Sequence, residues 1–220
     1  MMDTDNKAIV ALAGTVVGWL LGTLTTWWRE HMRLRRMAAG LEDELLDIRR
    51  QAEGLIITLE RGLQWVALRA IAGVGAQPIQ HAFYGVAYKE VFVDLGQSQR
   101  LSFQMIHSSV DSLNAQVAGL DEHFTASQTV SDDKRDEACA IWADKVKTAF
   151  VNTHLLTYYV KRHLANPLGK RVDYLDEEHR AWLEYRAKAE EIADTIVEKS
   201  KGIDPQTLAT TYNPALFGKT

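Results

Sequence analysis

The chain has 220 residues, of which 46% are hydrophobic and 25% charged, a composition that can bury a core and that differs from a disordered chain. Its net charge of −4 argues against a general nucleic-acid-binding surface, and its single cysteine excludes an internal disulfide and any multi-cysteine metal site within one chain. A chain of this length predicts one folded domain plus an appendage.

The first predicted element is an uncharged stretch at residues 8–28, AIVALAGTVVGWLLGTLTTWW. At about 1.5 Å per residue, a helix of this length spans roughly 30 Å, the thickness of the hydrocarbon core of a bilayer. The stretch ends in Trp27 and Trp28, and paired tryptophans are typical of the membrane–water interface. The acidic start at 1–7, MMDTDNK, disfavours a cleaved signal peptide. We therefore predict one N-terminal transmembrane helix.

The charges on the two sides of this stretch predict its orientation. Residues 1–7 contain two aspartates and one lysine, whereas four arginines follow the stretch: Arg29, Arg33, Arg35 and Arg36. Positive charge is retained on the cytoplasmic side, so 1–7 is expected outside the cell and the C-terminal domain in the cytoplasm, as in a bacterial inner membrane. We expect the arginines, together with Trp27 and Trp28, to contact anionic lipid headgroups.

Small residues form a row within the predicted span. The row begins at Gly14, continues at Gly18 and Gly22 with four-residue spacing, and is extended and flanked by threonines, namely Thr15, Thr25 and Thr26. Two overlapping G-x-x-x-G motifs allow a neighbouring helix backbone to approach closely. Such a face either packs helices against each other or lines a narrow pore within a ring of helices. Both interpretations predict a homo-oligomer.

After the span, apolar residues continue at intervals of three and four residues, which predicts a juxtamembrane stalk helix over 29–72. They are Leu34, Met37, Leu41, Leu45, Ile48, Ala52, Leu55, Leu59, Leu63 and Val66. Three glycines within this segment, Gly40, Gly54 and Gly62, each cost about 1 kcal/mol in a helix and are candidate positions for a kink. Residues 73–78, GVGAQP, predict a loop.

The remainder predicts a helical bundle domain over 82–202. Its helices are expected at 82–95, 98–124, 131–164 and 175–201, and no segment shows the alternation of a β-strand. The fold class is therefore all-α, with one transmembrane helix continuing into a cytosolic up-and-down bundle of four to five helices. The nearly uncharged tail, 203–220, is either flexible or a docking strip that uses Tyr212, Leu216 and Phe217.

Catalytic motifs are scarce. Walker A, dinucleotide-binding, H-E-x-x-H and G-x-S-x-G patterns do not occur, and no spacing of histidines and carboxylates predicts a metal site, so we expect neither cofactor nor metal. Arg100 and His107 fit the loose R-x(4–6)-H pattern of HEPN ribonucleases, in which these two residue types from two protomers cleave RNA. A pattern this loose also arises by chance, so a membrane-tethered HEPN-like ribonuclease is an alternative only.

The layout as a whole resembles the small single-pass, HEPN-like membrane effectors of bacterial anti-phage defence, in particular the accessory pore protein of type VI-B CRISPR loci. The resemblance comprises the acidic N-terminus, the glycine-rich span, the basic segment after it, the helical domain and the pair Arg100/His107. It implies a homo-oligomeric, non-enzymatic pore in the inner membrane, triggered through its cytosolic domain by a protein or a nucleotide signal. A passive membrane anchor or scaffold for a partner protein is the third reading.

Overall fold

The computed structural model describes the backbone of residues 4–165 and 177–210, and the side chains within 12–165 and 179–208. These residues form six α-helices and one short 3₁₀ turn, Asp132–Lys134, without any β-strand. The helices are α1 (Thr4–Ala67), α2 (Tyr84–Val91), α3 (Gln97–Ser127), α4 (Arg135–Ala165), α5 (Glu177–Ser200) and α6 (Pro205–Thr210). The predicted all-α class is confirmed, with four long helices and two short ones in the described ranges.

Helix α1 is continuous for 64 residues, from before the predicted span to the far end of the bundle. The glycines that were candidate kink positions all lie inside it without interrupting it. Gly62 shows why: a methyl group there would lie 2.9 Å from the Val146 side chain of α4, so the glycine allows two helices to approach closely. The period of apolar residues was therefore the better guide to the local structure than the glycine content.

The C-terminus of α1 is closed by a Schellman motif. The N–H of Ala70 donates to the carbonyl of Trp65, and the N–H of Arg69 donates to the carbonyl of Val66. Arg69 has a φ of 51°, which is the left-handed conformation that this motif requires and that glycine usually supplies. The chain then reverses into the loop that leads to α2.

The loop between α1 and α2 is held by side-chain amides on both sides. Asn114 of α3 pairs with both backbone groups of Ile79, at 2.8 and 2.9 Å, and Gln51 of α1 accepts from the N–H of Gln80 at 2.8 Å. Ile79 itself is buried. These contacts fix the positions of His81 and Phe83, which matter below.

Helix α4 is central, since it packs against α1, α3 and α5. The core contains seven residues of the apolar repeat of α1, all of them predicted from the sequence: Leu41, Leu45, Ile48, Ala52, Leu55, Leu59 and Leu63. From α4 the largest buried side chains are Trp142 and Phe150. The segment predicted as a juxtamembrane stalk therefore contributes its second half to the bundle core.

The predicted tail divides into two parts. Residues Pro205–Thr210 form α6, where Asp204 caps the first turn by accepting from the N–H of Gln206 at 3.2 Å, and Leu208 is buried. The first half of the predicted tail is therefore helical, with one buried side chain. Tyr212, Leu216 and Phe217 lie outside the described residues.

Candidate functional site

The N-terminal part of α1 is not covered by any other described segment of the chain. Every residue from 12 to 30 is exposed, and from residue 12 onwards the first buried residue of α1 is Leu41. We call residues 12–28 the arm. Nine large apolar side chains of the arm are exposed by 46–68%: Leu12, Val16, Val17, Trp19, Leu20, Leu21, Leu24, Trp27 and Trp28. Exposed apolar surfaces of this size are typical of segments that contact lipid or another protein.

The small-residue row predicted from the sequence lies along the arm as an open face. A methyl group added to Gly14, Gly18 or Gly22 would meet no atom within 4 Å. The hydroxyls of Thr25 and Thr26 donate within α1, to the carbonyls of Leu21 at 2.7 Å and Gly22 at 2.9 Å. Such bonding satisfies threonine in an apolar medium without a partner helix.

Of the predicted span 8–28, the side chains of residues 8–11 lie outside the described residues. Within the part of the chain whose side chains are described, no helix contains a stretch that is both long enough and apolar enough to cross a membrane.

The four arginines after the arm differ in their surroundings. Arg33 bridges Glu30 at 3.0 Å and Glu90 of α2 at 2.8 Å, and hydrogen bonds with these two carboxylates raise its pKa. Among the described residues, Arg29, Arg35 and Arg36 form no ion pair. A cavity of about 590 Å³, which we call the collar pocket, is lined by Trp28, Arg29, Met32, Arg33, Arg36, Met37 and Phe83. Arg35 is not part of this lining.

Arg100 and His107, the residues of the ribonuclease alternative, lie two turns apart on α3. The Arg100 guanidinium lies over the Phe92 ring, 4.6 Å from its centre. His107 is only 2% exposed and stacks on Tyr84, with ring centres 3.7 Å apart. A phosphodiester cannot reach this imidazole in the described conformation. Burial also lowers the pKa of His107 to about 3, so the ring is neutral at physiological pH.

His107 belongs to a chain of four polar side chains. Its Nδ1 lies 3.4 Å from Nδ1 of His81, and Nε2 of His81 lies 3.1 Å from the exposed carboxylate of Asp111. On the other side, Nε2 of His107 lies 3.8 Å from Oε2 of Glu44. Because His107 is neutral, this last contact is not an ion pair. This row of four side chains can hold a proton between a buried and an exposed carboxylate. It offers no open nucleophile and no metal site.

Glu44 is buried, and burial raises its pKa. Its Oε1 accepts from the backbone N–H of Phe83 at 2.7 Å, which ties the loop before α2 to α1. Its Oε2 and the Nε2 of His107 are both buried without a hydrogen-bond partner. One proton on either atom would make each the hydrogen-bond partner of the other if the distance between them shortened by about 0.6 Å or more.

A second buried histidine lies next to this cluster. His163 of α4 is 6% exposed, and its Nδ1 lies 2.8 Å from the hydroxyl of Ser102 of α3. Burial lowers its pKa to about 4. This side chain stabilises the contact between α3 and α4, and its ring packs on Phe103, with the centres 4.3 Å apart.

The structure thus brings some predicted residues together and separates others. Arg29, Arg33 and Arg36 share one pocket with Trp28, whereas Trp27 stacks on His31, with ring centres 5.5 Å apart. Sequence reasoning missed Phe83, Glu44 and His81. For Glu44 a signal was present, since it lies between Leu41 and Leu45 on the apolar stripe of α1, where a carboxylate is unexpected.

Comparisons with known proteins identify no relative: no protein-family model matches the chain, and neither the curated proteins nor the solved structures contain a significant match.

Proposed function

We propose that this protein is a homo-oligomeric membrane effector. The arm inserts into a bilayer and continues through residues 8–11 as a single span. Copies of the span associate along the face of Gly14, Gly18 and Gly22, and the assembled helices permeabilise the membrane. The helical bundle lies on the cytoplasmic side and controls the assembly in response to a protein or nucleotide signal. Anti-phage defence is the biological setting suggested by the resemblance in layout.

The observation that carries this proposal is the exposure of the arm. Transfer of a Val, Leu, Ile or Phe side chain from water into an apolar environment is favourable by about 1.5–3 kcal/mol of free energy. The arm leaves nine large apolar side chains in solvent, while the same helix buries its apolar residues further along. A surface of this kind needs an apolar environment, and a bilayer surrounds an isolated helix on all sides.

Self-association is supported by the distribution of small and large residues around the arm. The glycine face is open, and the large side chains Val16, Val17, Leu20 and Leu24 leave that face free. In lipid, helices gain little from burying apolar surface against each other, because the tails are equally apolar. Close backbone packing at small residues is therefore the main attraction available to this arm.

The first experiment tests the glycine face. Full-length protein carrying Gly18→Leu is reconstituted into vesicles, where we measure the oligomeric state by crosslinking and the release of an entrapped dye. We expect both the oligomer and the leakage to be abolished, because a leucine side chain blocks close approach of the backbones. The matched control is Ala13→Leu, which adds a larger side chain to another face of the same helix and should leave both properties intact. Unchanged oligomers and leakage in Gly18→Leu would disprove the glycine-mediated assembly.

A second substitution separates an active span from a passive anchor. Residues 8–28 are replaced by a poly-leucine helix of the same length, which keeps the hydrophobic thickness and removes the glycine face. An effector loses its leakage activity after this exchange, whereas a passive anchor keeps its whole function. The ribonuclease alternative predicts instead that RNA cleavage, independent of the span, disappears when Arg100 and His107 are replaced.

A further inference from the structure

The collar pocket combines positively charged and apolar side chains. Its three arginines lie on one side of α1, because positions 29, 33 and 36 are separated by four and three residues. Its other walls are apolar, and they come from Trp28, Met32 and Met37 of α1 and from Phe83 of the loop before α2. An anion attached to an apolar body is the ligand that these walls complement.

The charges in the collar pocket are only partly compensated. Glu30 and Glu90 both bind Arg33, which leaves no carboxylate among the described residues paired with Arg29 or Arg36. Guanidinium groups are suited to phosphate, since their planar fork donates two hydrogen bonds to one anion. Two guanidinium groups without a carboxylate partner in one pocket therefore favour an anionic ligand.

The position of the pocket along α1 identifies the source of that anion. It starts at Trp28, directly after the apolar arm, so an arm inserted in a bilayer places the pocket at the level of the headgroups. We propose that the collar pocket binds the headgroup phosphate of one anionic phospholipid, through Arg29 and Arg36, with its glycerol backbone against Trp28 and Met32. This inference rests on the proposed membrane insertion.

One wall of the pocket connects the lipid site to the bundle. The backbone N–H of Phe83 donates to Glu44, whose other neighbour is His107, and Arg33 of the pocket binds Glu90 of α2. A lipid in the pocket therefore contacts the same loop that Glu44 ties to α1. Binding of the lipid should stabilise this arrangement of α1 and α2 by mass action.

The test compares arginines inside the collar pocket with the neighbouring Arg35, which lies outside it. Full-length protein in a mild detergent is titrated with phosphatidylglycerol, and native mass spectrometry counts the lipids that each protomer retains, with phosphatidylcholine as the neutral reference. Loss of one charge-assisted hydrogen bond to a phosphate corresponds to about tenfold in affinity or more. We expect Arg36→Gln and Arg29→Gln to weaken the retention of phosphatidylglycerol by at least this factor.

The matched control is Arg35→Gln, which removes the same charge one residue away from Arg36 but outside the pocket. We expect it to retain phosphatidylglycerol as the unmodified protein does, and Phe83→Ala to weaken retention without any change of charge. Equal losses in Arg35→Gln and Arg36→Gln would show diffuse attraction and overturn the pocket, as would equal retention of phosphatidylglycerol and phosphatidylcholine.

The proposed membrane insertion is tested separately by flotation of the protein with vesicles of pure phosphatidylcholine, which offer no net charge. Flotation without selective retention of phosphatidylglycerol in detergent contradicts the collar pocket and leaves the arm insertion standing. Absence of flotation contradicts the insertion, and with it the assignment of the pocket to a membrane lipid.

Discussion

The two halves of α1 have the same backbone structure and opposite surroundings. In the arm, residues 12–28, every side chain is exposed, whereas from Leu41 to Leu63 the apolar side chains that repeat every three or four residues are buried in the bundle. Both halves contain leucines and glycines. Helical structure alone therefore does not distinguish a segment that packs within its own chain from one whose apolar surface no other described residue covers.

The glycines express the same difference at the scale of single atoms. A methyl group at Gly40 would lie 2.6 Å from the ring of Phe83, and at Gly62 it would lie 2.9 Å from Val146. At Gly14, Gly18 and Gly22 it would meet nothing. In the packed half, a glycine makes room for a neighbour that is present. In the arm, the same residue type lies on a face that no other described residue covers.

The largest expected effect comes from the same substitution in the two halves. Leu59→Ala removes a fully buried side chain of α1 and should lower the free energy of unfolding by about 2–5 kcal/mol, because it leaves a cavity. Leu20→Ala, in the arm, should change it by no more than about 0.5 kcal/mol. Chemical denaturation of the full chain in a mild detergent, followed by circular dichroism, measures both.

Equal destabilisation by Leu59→Ala and Leu20→Ala would contradict the distinction between the two halves, because it would mean that the arm packs against the bundle. In the vesicle flotation assay we expect the opposite order, with the larger effect in Leu20→Ala. We expect Leu20→Ala to weaken flotation with neutral vesicles, whereas Leu59→Ala should alter it only when the bundle has unfolded.

A smaller effect depends on pH and on the bundle alone. The pKa of His163 is lowered from 6.5 to about 4 in the folded chain, so the unfolded chain takes up a proton first as the pH falls. The contribution of His163 to the free energy of unfolding is therefore fully present above pH 6.5. It decreases as the pH falls through the range between these two pKa values. Between about pH 7.5 and about pH 5, the titration of this histidine should lower the free energy of unfolding by about 1–2 kcal/mol.

His163→Asn tests this assignment, since asparagine does not titrate and can still bond with the hydroxyl of Ser102. We expect the difference in unfolding free energy between the two pH values to be smaller in the variant. Burial also lowers the pKa of His107 and of His154, so part of the acid sensitivity should remain. An unchanged pH dependence in His163→Asn would show that His163 is not held neutral in the folded chain.

The smallest effect compares two glycines within the packed half. At Gly54 a methyl group meets nothing, so Gly54→Ala should stabilise the chain by about 0.5–1 kcal/mol through helix propensity. At Gly62 the same gain is opposed by the contact with Val146, whose branched side chain is buried and cannot rotate away freely. We expect Gly62→Ala to be less stable than Gly54→Ala by about 1 kcal/mol or more in the same denaturation assay. Equal stabilisation would mean that α1 and α4 separate easily at this point.

Much of the fold was predictable because it depends on periodicity. The repeat from Leu41 to Leu63 identified the buried face of α1, and the structure buries those residues. Helix boundaries were less accurate: the segment predicted at 82–95 forms a helix only over Tyr84–Val91, and the tail contains the unpredicted helix Pro205–Thr210. Short helices contain too few turns for periodicity to mark their ends.

The candidate sites were less predictable, because they join distant segments. Glu44, His81 and His107 come from α1, from a loop and from α3, and no spacing along the chain relates them. The collar pocket needs Phe83, which only the loop before α2 brings to the arginines. For Arg100 and His107 the sequence pattern was visible, but the burial of His107 depends on how Tyr84 and Glu44 pack around it.

The sequence by itself determined the features that depend on the helical period. These are the all-helical class, the apolar stretch at the start of α1, the row of Gly14, Gly18 and Gly22, and the buried face of the second half of α1. These follow from the period of the helix, which is local. Only the tertiary structure decided which arginines share a pocket, which histidines lie away from water and where α1 starts to be covered. The physical reason is that burial and pairing depend on neighbours distant in the chain, and their positions are set by the packing of all the helices together.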